Sequence, residues 1–459
     1  MQLTTLSVLL FAIAFAAYHA GRDRAHRMSG GAGFVHSRPR YHGYFVMIRS
    51  IAPALLVVLA WLILEPTVLH GRVLEDMPDA WRTLPAGELA FRLDAVGRMA
   101  DSPDSLGAGD AELTRFVEQV RGQRLRSRTL LAWVALLSAL LSGALALRRV
   151  APKFRARTRV EATLTRILIA ASGIALLTTV GIVLSVVFEA ARFFAEVPVF
   201  DFFFGTTWSP GTAIRADQIG STGQFGAVPL FVGTLLVTAI AMLVAVPVGL
   251  FAAVYFSEYA SRRIRSVAKP LVEVLAGIPT VVYGFFAVLV VAPLVQSLGT
   301  AVGISIAAES ALTAGLVMGV MIIPLISALS DDALSAVPIA TREAAIALGA
   351  TRSEAMLGVI MPAAMPGILG GIMLAVSRAI GETMIVLMAA SLAANLTANP
   401  FAAVTTVTVQ IVSLLVGDQE FDSARTLAAF ALGLVLFLVT LALNVLGLGI
   451  VRRYRSQYV

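Results

Sequence analysis

Apolar windows long enough to cross a hydrocarbon core of roughly 30 Å recur near residues 3–20, 45–65, 129–147, 167–192, 229–254, 271–295, 306–329, 366–394 and 427–450. This pattern predicts nine membrane spans in an all-α polytopic membrane protein. Alternation of sides then sorts the polar segments between them. Arg22, Arg24, Arg27, Arg38 and Arg40, the run from Arg148 to Arg166, Arg262, Arg263 and Arg265, and Arg452, Arg453 and Arg455 all fall on one side. The segments 66–128, 194–228 and 395–426 fall on the other and lean acidic; in the last, Asp418, Glu420 and Asp422 are opposed only by Arg425. The positive-inside rule therefore puts the C-terminus in the cytoplasm and the N-terminus outside. The first span lacks a basic leader and is followed by arginines, which reads as an uncleaved anchor, although Ala14-Phe15-Ala16 has the form of a cleavage site.

The polar segments divide the chain into two parts. Residues 1–166 hold three spans and a periplasmic segment, 66–128, with helix-compatible stretches at 88–100 and 111–120. Residues 167–459 hold six spans. A short polar passage, 331–365, interrupts this second part on the cytoplasmic side.

Composition bears out the lipid setting. Hydrophobic residues make up 58% of the chain and charged residues 14%, against about 25% charged in soluble domains. The net charge of +7 matches basic cytoplasmic loops rather than a nucleic-acid surface. There is no cysteine, and His19, His26, His36, His42 and His70 all precede residue 71. The six-span part thus has no Ser–His or Cys–His nucleophile and no histidine-ligated metal. Neither Lys153 nor Lys269 follows a glycine, so a Walker A phosphate loop is absent. If ATP drives this protein, another chain binds it.

The interrupting passage is "EAAIALGATRSEAMLGVIMP", residues 343–362. Gly349 suits the left-handed position after a helix end. Thr351 with Glu354 three residues on forms a capping box. The expectation is helix, sharp turn and second short helix, ending before Pro362. Read on this local pattern alone, it is either an amphipathic loop between spans or a rigid element shaped for a soluble partner. Glu343-Ala344-Ala345, three residues, Gly349, nine residues and Val359-Ile360-Met361-Pro362 resemble the EAA loop of ABC-importer permeases, with Val359 and Met361 as apolar replacements.

Three further stretches, at 225–260, 275–286 and 377–386 ("SRAIGETMIV"), are similar to the phosphate-specific subfamily, and to its PstC-type subunit more than to its PstA-type sister. The resemblance covers about 165–455. It implies a type I importer core of six helices, here with about three extra N-terminal spans, in the bacterial inner membrane. It also implies a PstA-like permease, two ATPase subunits carrying ATP and Mg, and a periplasmic phosphate-binding protein as partners. Glu343, Ala344, Ala345, Gly349, Thr351, Glu354 and Pro362 would then serve ATPase coupling. This chain would bind no cofactor itself.

Arg378 lies about twelve residues into its span, near the middle of the core at 1.5 Å per residue. A charge there costs on the order of 2.5–3.5 kcal/mol, so it needs a partner or a wet cavity. Glu382 is four residues on, which predicts a shared helix face. Either Arg378 offers donors to phosphate while Glu382 orients it, or the two form a neutralising pair that fixes packing. Pro279, Thr280 and Tyr283, in "GIPTVVYGFF", read as a bend for helix packing or as a gate. Phe202, Phe203, Phe204 and Trp208 read as an interfacial aromatic belt, with a contact for a binding protein as the alternative. The function implied is phosphate import by a permease subunit without its own ATPase site. A sulfate- or molybdate-type permease and a secondary anion transporter are the alternatives.

Overall fold

The computed structural model describes residues 3–29, 36–75, 77, 81, 86–101, 111–212, 222–417 and 423–455. Nine helices long and apolar enough to cross a membrane occur among these residues. The acidic residues at 418–422 lie outside them. The chain divides into two compact units between Leu177 and Thr178.

In the first unit, helices α1 (Leu3–Ser29), α2 (Pro39–Glu75) and α4 (Ala111–Arg148) pack together, and α3 (Ala86–Asp101) packs on α4. The stretch expected at 111–120 is no separate helix. It is the first part of α4, because residues 111–128 are rich in good helix formers and contain no proline. Close approach of α2 and α4 depends on Gly143, where an added Cβ would lie 2.9 Å from Ser50 Oγ. The Ser50 hydroxyl donates to Ala139 O at 2.8 Å, so the polar group at this contact is satisfied.

The boundary between the units falls inside α5 (Ala156–Glu196), so the break expected at 166/167 is continuous helix. In the second unit α6 (Val199–Phe204) and a hairpin, β1 (Trp208–Thr212) and β2 (Thr222–Phe225), lead into α7 (Val228–Val254). The hairpin is the small exception to an otherwise helical fold. Phe202 and Trp208 are not a membrane belt: Phe202 is fully buried against Phe193, and the Trp208 indole donates to Gln410 Oε1 at 3.0 Å in the core. Phe203 and Phe204 remain exposed.

Three spans differ from the expected windows. The window 271–295 is two elements, α8 (Arg262–Ala276) and a helix from Thr280 to Ala301 built of α9 (Thr280–Phe286), a wide π turn (Ala287–Val291) and α10 (Ala292–Ala301). Pro279 has no N–H and disfavours helical geometry at Ile278, which ends α8. The window 306–329 is shifted to α11 (Ala311–Ser335), capped by Ser310, whose hydroxyl accepts from the Thr313 amide; Glu309 lies outside the helix. The window 366–394 is broken. Helix α14 (Met361–Ile380) stops at Gly381, a short α15 (Met384–Ala389) follows, and the chain then turns back.

Between α15 and the last helix, α17 (Ala424–Arg455), lies α16 (Val407–Gly417), whose Val407, Val409, Gln410 and Leu414 are buried. The segment 395–426 is therefore partly core and not simply an outer loop. The centre of the unit is the α7–α11 pair. Added Cβ atoms on Gly315 and Gly249 would lie 2.7 and 2.9 Å from Ile240 and Ile326. Small residues let these backbones meet closely where no water drives association.

Candidate functional site

The passage at 339–361 is built by local signals. Helix α12 (Ile339–Ala347) ends in a turn in which Gly349 takes φ +91°. The Ala350 and Gly349 amides donate back to Ala345 O and Ile346 O at 3.2 and 2.9 Å, the Schellman pattern. Thr351 then caps α13 (Arg352–Ala355): its hydroxyl accepts from the Glu354 amide, while the Glu354 carboxylate accepts from the Thr351 amide at 2.8 Å.

The second helix does not end before Pro362. It runs through a π turn (Met356–Ile360) directly into α14, with Pro362 at the start of that helix. The surface of this element carries Glu343 and Ala344 beside Ile339, Ile346 and Leu348, which are 71%, 54% and 90% exposed. Ala345 is buried and holds α12 from beneath. These apolar side chains stand exposed on a short, well-capped knob.

Charges tie this knob to the ends of the spans, and the sequence reading did not find them. Arg342 of α12 donates to Glu258, in the π turn that ends α7, and to Leu334 O near the end of α11. One turn earlier on α11, Asp331 is buried with its side chain only 3% exposed. Lys269 and Arg265 of α8 reach its carboxylate at 2.6 and 3.2 Å. A buried carboxylate is tolerable only with such partners. The available signal was acidic residues just past an apolar run, opposite a basic cluster.

Arg378 and Glu382 are not brought together. The helix stops between them, so they share no face, and no ion pair joins them. The Glu382 backbone carbonyl instead accepts from Thr408 Oγ1 at 2.9 Å. Arg378 is exposed on α14 and takes part in no ion pair or side-chain hydrogen bond among the described residues. It opens on a groove of about 580 Å³ between α14 and α17 that also presents Ser377, Thr440 and Asn444. The helix that carries this guanidinium begins well before residue 366, so Arg378 stands near the end of its span and not near the middle.

Pro279 and Thr280 start α9, and the buried Tyr283 bridges the break by donating its hydroxyl to Leu275 O at 2.8 Å. An added Cβ on Gly284 would sit 3.0 Å from Met388 Sδ, so this stretch is a close-packed joint between α9 and α15. Among the described residues no group of three or more His, Asp or Glu could hold a metal ion.

Comparison with known proteins matches these parts to two family models. Residues 7–178 match a phosphate ATP-binding cassette transporter family, and residues 245–456 match binding-protein-dependent transport system inner membrane components. The phosphate transport system permease protein PstC 1 of Mycobacterium tuberculosis is 34% identical over 279 residues, covering 55% of this chain and 81% of that one. The PstC of Mesorhizobium japonicum is 31% identical over 52% of this chain and 75% of its own. A probable ABC transporter permease, YqgH of Bacillus subtilis, is 29% identical over 50% and 72%. Among solved structures, a bacterial alginate ABC transporter aligns with 97% of its chain and 64% of this one, at 16% identity and a TM-score of 0.45.

Proposed function

The chain belongs to the family of PstC phosphate transport permeases, and from that premise we propose that it forms one half of the membrane pathway of an ATP-driven phosphate importer in the bacterial inner membrane. A PstA-like permease supplies the other half. A periplasmic phosphate-binding protein delivers the anion to the side away from residues 339–361. Two ATPase subunits hold ATP and Mg on the cytoplasmic side, and the permease itself contributes no ATPase site.

The observation that carries this reading is the pairing of two exposed features in one unit. The knob at 339–355 presents Leu348 and Ile346 to a soluble partner. The groove between α14 and α17 presents an unpaired Arg378. The first suits a cleft in an ATPase. The second suits transient capture of an anion, since a conducting site must also release its ion. Arg342 links the knob to the ends of α7 and α11, and Asp331 ties α11 to α8, which gives nucleotide-driven motion of the partner a route into the spans.

The test is reconstitution of the chain with its sister permease, ATPase subunits and binding protein in sealed vesicles. ATP-dependent accumulation of phosphate, unaffected by excess sulfate, is expected. Accumulation of sulfate or molybdate instead would move the chain to a neighbouring anion class. Uptake that runs on an ion gradient without the ATPase subunits would refute coupling altogether.

A further inference from the structure

The groove beside Arg378 holds more chemistry than one guanidinium. Ser377 Oγ donates to Asn444 Oδ1 at 2.8 Å. That bond orients the Asn444 amide, so its two Nδ2 protons are the groups left to offer, and neither has a partner among the described residues. The Thr440 hydroxyl spends its proton on Leu436 O and Phe437 O, both at 3.0 Å, which leaves its oxygen as an acceptor. The remaining wall is apolar, with Leu325, Leu374 and Phe437, and no carboxylate lines the groove. Amide and guanidinium donors that line an otherwise apolar groove without acceptors of their own are free to bind a visiting anion.

We propose that Asn444, held by Ser377, is the second donor of a tetrahedral oxyanion site whose first donor is Arg378, and that the Ser377 and Thr440 oxygens accept the proton of a protonated oxyanion. The inference rests on the import reading above and adds to it the residues that select the cargo. Hydrogenphosphate carries both kinds of group, ionised oxygens for Arg378 and Asn444 and a hydroxyl for Ser377 or Thr440. Sulfate has no proton at neutral pH and would leave those acceptors facing it unpaired. A site that hydrogen-bonds a substrate hydroxyl disfavours an analogue lacking it, because the acceptors that face the bound analogue are then left unpaired.

Asn444→Asp separates this role from packing. The aspartate keeps an oxygen for the Ser377 hydroxyl but replaces two donors by a negative charge. In the assembled complex in vesicles, ATP-driven uptake of inorganic phosphate should fall about tenfold or more, since a hydrogen bond to a charged group is worth at least one decade. Thr440→Val, which keeps the shape and removes the acceptor, should let excess sulfate compete with phosphate.

Should the aspartate variant fail to assemble, Ser377→Ala reads the same point: the freed amide should raise the phosphate level for half-maximal uptake several-fold. Wild-type uptake by Asn444→Asp, or unchanged half-saturation in Ser377→Ala, overturns the site while leaving the import reading intact. Failure of the wild-type complex to move phosphate overturns the import reading and this inference with it.

Discussion

Among the interruptions of helix in the second unit, those at 348–351 and 381–383 are made in opposite ways. The first is written in its own few residues: a left-handed glycine, two amides turned back on α12, and a capping box. The second has no proline and lies inside an apolar run. It is held from outside, by Thr408 reaching the Glu382 carbonyl and by Ser391 pairing with Val404. The locally encoded break projects away from the spans and shows apolar side chains. The break held by distant contacts lies inside an apolar run and separates two charges that a continuous helix would have placed on one face. On the import reading proposed above, the interruption that meets a partner is self-contained, whereas the one beside the anion groove is supported by its neighbours.

The strongest way to break this comparison is at the second interruption. Arg378→Gln should reduce phosphate uptake to background while assembly persists, and Arg378→Gln with Glu382→Gln should be equally inactive because no pair exists to be neutralised. Recovery of uptake in the double variant would show that the two charges do meet. At the first interruption, Leu348→Asp should weaken ATPase association by about thirtyfold if Leu348 is a central contact worth about 2 kcal/mol. Co-purification and permease-stimulated ATP hydrolysis report it, and normal hydrolysis would move the docking surface elsewhere.

Gly349→Val puts a β-branched residue at positive φ, at a cost of about 1–2 kcal/mol. Uptake and stimulated hydrolysis should fall together while membrane insertion is unchanged; full transport would mean the turn's geometry is irrelevant to docking. The smallest effect should come from Thr408→Val, which removes the neutral hydrogen bonds to Glu382 O and Thr406 Oγ1, each worth about 1 kcal/mol. A drop of a few degrees in the unfolding temperature of the complex would sharpen the contrast, since Thr351→Ala, of similar cost, should loosen the knob without shifting the spans.

What could be read from the chain follows the same division. The number of membrane helices, the turn at Gly349 and the cap at Thr351 rest on composition and on contacts within five residues, so they were legible. The break after Ile380 was not, because Gly381 amid apolar neighbours carries no stop signal strong enough to outweigh the run on both sides. Nor were Asp331 and Arg342, whose partners Lys269, Arg265 and Glu258 lie sixty or more positions away. Arg378 was found for its cost in lipid, but its companions Ser377 and Asn444 are ordinary residues in a helix until α17 is placed beside α14. Phe202 and Trp208 were misread for a related reason. An aromatic run near a span end looks the same whether it meets lipid headgroups or folds back on Phe193 and Gln410.

The start of α11 has a consequence for the order in which this protein is made. Its Ala311 and Leu312 amides donate to Ala402 O and Pro400 O, at 3.2 and 2.9 Å. Those acceptors leave the ribosome roughly ninety residues after the helix they complete, which at about 5–20 residues per second is a delay of about 5–20 seconds. Until then the most enclosed span in the unit has open donors at its head. The nascent chain must therefore pass its fourth core span into the membrane in an unfinished state and close it only when the segment before α16 returns.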